Sequence, residues 1–156
     1  MPKSPTDFLF VLFETQRLLR LLAEKQAAPY GITKAQWGVL AKLERTEGLK
    51  QSELAELLDV QPITLTRLID RLCENDLIER REDAKDRRVN RLYLRPAARP
   101  LLEKLSELRA DITETALSHL SDEQASDLVR QLEVIKNNVR DALQSADSKS
   151  KDQRYG

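Results

Sequence analysis

Apolar positions recur at helical spacing through most of this chain and alternate in twos only across one short central stretch. From about Thr6 to Ala28 they form a broad stripe through Phe8, Leu12, Leu19 and Leu22, flanked by Leu18 and Leu21. A helix apolar on more than one side packs against more than one partner. Tyr30-Gly31 breaks it. Thr33 with Gln36 then forms a capping box for a second helix carrying Trp37, Leu40 and Leu43, and Gly48 is placed to end that helix.

A short helix is expected from about Ser52 to Leu58, with Leu54, Leu57 and Leu58 inward. Asp59-Val60-Gln61 is a tight connection. Pro62 suits the first turn of the next helix, where its missing N–H costs nothing. That helix runs to about Asn75 and buries Leu65, Leu68, Ile69 and Leu72, the i, i+3, i+4, i+7 face. After Asp76 the period changes: residues 77–81 and 89–94 read as strands, with a polar loop from Glu82 to Arg88 between them. Arg95-Pro96 closes the second strand. Two long helices follow. The first places Leu101, Leu105, Leu108, Ile112 and Ala116 on one face. A Ser121–Gln124 capping box starts the second, which carries Ala125, Leu128, Leu132, Ile135 and Val139. Such a seam wants another helix against it.

The expected fold is therefore mostly α, with a small two- or three-stranded β wing. Residues 33–95 form a winged helix-turn-helix, residues 6–30 and 97–144 a helical region around it, and residues 145–156 a disordered tail.

Composition narrows the function. Apolar residues make up 40% of the 156 and charged residues 33%, which suits a helical protein with a modest core. One cysteine, one histidine and no glycine-rich phosphate loop leave little for nucleophilic, metal or nucleotide chemistry, so neither an enzyme nor a cofactor is expected. The apolar run from Phe8 to Phe13 is too short to cross a membrane or to serve as a secretory signal, and a cytoplasmic protein is expected. Formal net charge is zero, but DNA feels the local field of one surface. Between Lys85 and Arg95 five cations stand against Asp86 alone, a local charge of +4.

In a winged helix-turn-helix the second helix enters the major groove and the ribbon reaches sideways. Opposite the buried stripe of that helix lie Ile63, Arg67, Asp70 and Glu74, with Thr64 and Arg71 on the Arg67 flank. Arginine suits guanine, whose O6 and N7 accept both its donors, and Gln61 and Thr64 can touch base edges or phosphate near the helix start. An exposed polar face is equally what any solvated helix presents, and Arg67 with Asp70 or Glu74 can make ordinary surface pairs. Asp86-Arg87-Arg88 sits at the tip of the wing, where an arginine can enter a narrow minor groove. The Asp86 carboxylate is expected to pair with Arg88 and fix its guanidinium; a solvated charged hairpin is the other reading. Thr66, Arg71, Arg87 and Arg91 complete the candidate DNA-contacting set.

These segments together resemble the MarR family of bacterial transcription regulators. The resemblance rests on Gln51-Ser52-Glu53-Leu54-Ala55, on Leu65 through Leu72, on Leu77-Ile78-Glu79-Arg80, on Asp86-Arg87-Arg88 and on Leu92-Tyr93-Leu94, and it covers nearly the whole chain. The spacing from recognition helix to wing is similar to the SlyA subgroup. Where many relatives have Thr-x-x-Gly after the second strand, this chain has Arg95-Pro96-Ala97-Ala98, and proline should preserve the helix start there. The resemblance implies six helices with the wing between the fourth and fifth. It also implies a homodimer joined through the first and last helices, and a repressor that binds a pseudo-palindromic operator. By the same analogy Arg67 sits in the recognition helix, and Arg88 is a minor-groove arginine steadied by Asp86. A small aromatic or phenolic effector is also implied, with Arg17, Tyr30, Trp37 and His119 as candidate ligand residues; core packing is the simpler role for Trp37 and dipole compensation for His119. Two other readings stand beside repression: an oxidant sensor using Cys73, and a winged-helix module that binds protein instead of DNA. Against the first, Glu74 and Asp76 are acidic neighbours that do not favour a thiolate.

Overall fold

The computed structural model describes residues 4–152. They fall into two compact units, one ending at Ala116 and the other beginning at Leu117.

The first unit opens with a 3-10 turn, Pro5–Asp7, capped reciprocally by Ser4 and Asp7. Helix α1, Phe8–Ala27, buries only Ala27. Phe10 and Phe13 are 71% and 64% exposed, and Leu9 and Leu18 more than half exposed. Of the expected stripe, Leu12, Leu19 and Leu22 are half-buried, while Phe8 and the flanking Leu18 and Leu21 are exposed. A turn ending on Gly31 leads to Thr33, which exchanges capping hydrogen bonds with Gln36 at 3.0 and 3.2 Å. Helix α2, Lys34–Arg45, buries Trp37, Val39, Leu40 and Leu43. It ends at Thr46, ahead of Gly48. Gly48, at φ 77°, instead turns the chain into strand β1, Leu49–Lys50, and a Cβ there would come within 3.1 Å of Tyr93 Oη.

Helix α3, Gln51–Leu58, follows at once, and Glu53 accepts the Lys50 N–H at 2.8 Å. Leu54 and Ala55 are buried, but Leu57, expected inward, is 55% exposed. At 100° per residue it falls roughly 105° from the middle of the arc made by Leu54, Ala55 and Leu58. Asp59 at φ 51° makes the turn, and the Val60 N–H returns to the Ala55 carbonyl. Helix α4, Pro62–Glu74, has proline in its first turn and buries Leu65, Ile69 and Leu72 completely. Strands β2, Ile78–Glu82, and β3, Asn90–Leu94, pair antiparallel from Ile78↔Leu94 to Glu82↔Asn90. Strand β1 takes the other edge of β3, giving the order β1-β3-β2. Helix α5, Arg99–Leu117, is entered through the turn Pro96–Ala98, so the substituted junction does hold a helix start. Leu105 of α5 joins Leu40, Leu54, Leu65, Leu72 and Leu92 in one core.

In the second unit Ser121 and Gln124 exchange capping hydrogen bonds at 2.9 and 3.2 Å ahead of helix α6, Asp122–Asp152. His119, at φ 70°, lies in the turn between α5 and α6. The helix continues past Ser145, where composition had suggested a disordered tail. No glycine or proline interrupts residues 122–152, and the Ser145 and Ser148 hydroxyls donate to carbonyls one turn back. Residues 153–156 of that tail lie outside the described residues. Val129, Val134, Val139 and Leu143 on α6 are each more than half exposed. Among the described residues no helix is long and apolar enough to cross a membrane.

Candidate nucleic-acid interface

Helix α4 divides sharply. Its inner face is fully buried leucine and isoleucine, while Thr64, Arg67 and Arg71 stand exposed on the outside and Gln61 is exposed at the N-cap. Whether an exposed arginine is available to a ligand depends on what already holds it. The cations of this region sort into two groups. Arg80 pairs with Asp70 at 2.6 Å and donates to Gln51 at 3.3 Å. Arg81 pairs with Glu79 and lies over the Tyr93 ring. Arg95 pairs with Asp76 at 2.9 Å and reaches Glu79. By contrast Arg67, Arg71, Arg87 and Arg88 make no side-chain hydrogen bond or ion pair among the described residues. Asp70, one of the carboxylates that sequence reasoning offered to Arg67, is occupied by Arg80.

Two residues of the expected DNA-contacting set already have partners inside the protein. The Arg91 guanidinium pairs with Asp83 and donates to the Gly48 carbonyl at 2.8 Å, tying the wing to the turn before β1. The Thr66 hydroxyl donates to the Pro62 carbonyl at 2.9 Å and accepts from Gln51 Nε2 at 2.9 Å. Charge and polarity are visible in a sequence; the partner that uses them is not.

The wing loop is held by main-chain bonds. Asp83 accepts the N–H groups of Lys85 and Asp86, and its own N–H donates to the Val89 carbonyl. Asp86 does act on Arg88, though by a different route from the one expected. Its carboxylate accepts the Arg88 backbone N–H at 3.0 Å, so it shapes the loop and leaves the guanidinium unpaired. Lys85, Arg87 and Arg88 therefore project from a loop closed on itself, all three exposed. Sequence reasoning missed Asp83, whose part is to cap a loop.

The hydrogen bond from Arg91, helped by the Lys85 N–H, holds the Asp83 carboxyl below the usual carboxylate range. A lowered carboxylate pKa stabilises the fold above its unfolded value and loses that contribution as pH falls through the folded one. Protection of the Lys85 and Asp86 amides from hydrogen exchange, corrected for intrinsic rates, should stay constant near neutrality and fall only below the usual carboxylate range. Asp83→Ala should abolish it at all pH values.

The candidate ligand residues do not converge. Arg17 is held by Glu14 at 2.7 and 3.0 Å, and the Tyr30 ring lies under Lys104 at 5.6 Å. Only Trp37 lines a cleft, of about 390 Å³, walled by Leu19, Ala23, Ala41 and Ile112 and bordered by Arg20 and Arg109. Gln16, Arg20 and Ala23 of that wall stand at i, i+4 and i+7 on α1, a spacing the sequence displays. Burial pushes the Cys73 thiol up, only partly offset by Arg80, which does not favour a reactive thiolate.

A model of the MarR family matches residues 32–89, from the end of the α1–α2 turn through the wing loop. Over 94 residues the chain is 39% identical to the HTH-type transcriptional repressor MdtR of Bacillus subtilis (strain 168), covering 60% of this chain and 61% of MdtR. It is 31% identical over 110 residues to the uncharacterized HTH-type transcriptional regulator YwoH of the same organism, covering 70% of this chain and 80% of YwoH. Among solved structures, a MarR transcriptional regulator from Methanosarcina mazei Go1 is 25% identical, with a TM-score of 0.80 over 86% of this chain and 97% of that one. A wing, a helix-turn-helix and these likenesses agree: the chain belongs to the MarR family of winged helix-turn-helix transcriptional regulators, not to a family of enzymes.

Proposed function

We propose that the chain is a cytoplasmic repressor that binds a pseudo-palindromic duplex DNA operator as a homodimer. Helix α4 lies in the major groove and reads bases through Arg67, with Gln61, Thr64 and Arg71 on base edges or phosphate. Arg88 of the wing enters the minor groove, its backbone held by Asp86, and Arg87 lies on phosphate. The observation that carries this reading is the unpaired state of these four arginines on α4 and the wing loop, while Arg80, Arg81, Arg91 and Arg95 of the adjoining strands are paired. DNA offers these free guanidinium groups phosphates and groove acceptors at both the helix and the wing. Residues 33–95 serve as the DNA-binding region. Residues 6–30 and 97–144 serve dimerisation, supported by the exposed apolar residues of α1 and α6, which a second copy would cover. Half-sites should then lie about one helical turn apart. MdtR bears the name of a repressor, which favours repression here. The apolar cleft at Trp37, bordered by arginines, suits a small aromatic acid as effector.

The test is selection of bound sequences from fragmented genomic DNA, followed by titration of the selected duplex at several salt concentrations. Log affinity should fall linearly with log salt, with a slope near −0.9 for each phosphate neutralised. Arg88→Ala should weaken binding by about ten-fold or more, and most where the flanks are A·T-rich. Binding indifferent to sequence and to this substitution would overturn the reading in favour of a protein-binding module.

A further inference from the structure

We propose that Ile63 reads a thymine by its C5-methyl group and is a specificity residue of the α4 surface; this rests on the DNA-binding reading above. Ile63 is 62% exposed, while Leu65, Ile69 and Leu72 of the same helix are fully buried and Leu68 is half-buried. It is the second residue of α4, at the end of the helix that meets base edges when such a helix docks in the groove. It stands one turn before Arg67 on the same face, with Thr64 beside it.

Nothing in the fold accounts for isoleucine at this position. It lies outside the buried core, and a β-branched residue in the first turn adds no helix propensity. The surroundings decide which partner would cover it. A protein docked here would have to desolvate the unpaired Arg67 and Arg71 and supply carboxylates for both. The DNA major groove meets both guanidinium groups with acceptors and phosphates, and it carries one apolar group, the thymine methyl. The stiff χ1 of isoleucine brings that contact into being with little loss of side-chain freedom.

The test uses the full-length protein and its selected operator, with uracil replacing thymine at one position at a time, which deletes only the methyl group. At one thymine per half-site, wild type should bind the uracil duplex about four-fold more weakly, the factor that burying one methyl produces. Replacing both symmetry-related positions should give about fifteen-fold. Ile63→Ala, at an exposed site, should keep the wild-type circular dichroism, bind the thymine operator more weakly, and no longer distinguish thymine from uracil there. Two results overturn the proposal alone: sequence-selective, Arg88-dependent binding in which wild type ignores every uracil, or an Ile63→Ala protein that keeps the full thymine preference. Failure of wild type to select any sequence would instead overturn the DNA-binding reading, and this proposal with it.

Discussion

Arg67→Ala is expected to lower operator affinity by about two to three orders of magnitude and to erase the preference at one base pair in each half-site. An arginine bidentate to guanine contributes roughly 1–3 kcal/mol, and a symmetric dimer makes the contact twice. The effect should be large because Arg67 gives up no partner inside the protein when it binds: Asp70, its neighbour on the same face, already belongs to Arg80. Arg67→Lys separates charge from shape. It keeps the cation but not the planar fork, so it should recover non-specific affinity and leave the base preference lost. Equilibrium titration against operators permuted at each base pair is the measurement. Uniform weakening across all of them would make Arg67 a phosphate contact.

The second large effect lies in the core. Leu72→Ala should cost about 2–5 kcal/mol of stability, the usual range for a fully enclosed leucine. Leu72 has no exposed surface, and its carbonyl accepts the Leu77 N–H at 2.9 Å, so it sits where α4 hands the chain to β2. Relaxation around the cavity is limited because Leu65 and Ile69 on the same face are themselves enclosed. Denaturant unfolding at fixed protein concentration should show a lower midpoint with an unchanged slope. A loss below about 1 kcal/mol would mean that the α4–β2 junction closes over the gap.

Where a residue type does one thing by itself, the sequence was readable. Thr33 with Gln36 and Ser121 with Gln124 cap helices because their side chains reach only their own first turn, and both boxes form. The inner face of α4 was likewise legible, since its i, i+3, i+4, i+7 spacing runs over about two turns. Strand β1 was not, because two residues hold no period; it exists through its pairing with Leu92 and Arg91, far along the chain. Which of the candidate residues have partners inside the protein was not legible for the same reason. Arg88 and Arg91 are the same residue in the same segment, yet the second is claimed by Asp83 and Gly48. Thr66 and Arg80 belong to a polar chain with Gln51 and Asp70 that joins α3, α4 and β2. Its members lie up to 29 positions apart, and no local pattern announces them. Trp37 packs in the core, as its place on the buried face of its helix implied, and also lines the cleft, while Arg17 and Tyr30 are engaged by Glu14 and Lys104.

The short strand β1 has a mechanical consequence. Because Leu49 and Lys50 are stitched to β3 immediately before α3 begins, the ribbon and the helix pair share one foundation. The ribbon is thus anchored at its base, Leu92 and Arg91 being paired with Leu49 and Lys50. On the DNA-binding reading proposed above, an effector acting on this region would displace the base of the ribbon and the start of α3 together, because the two are joined by one pairing.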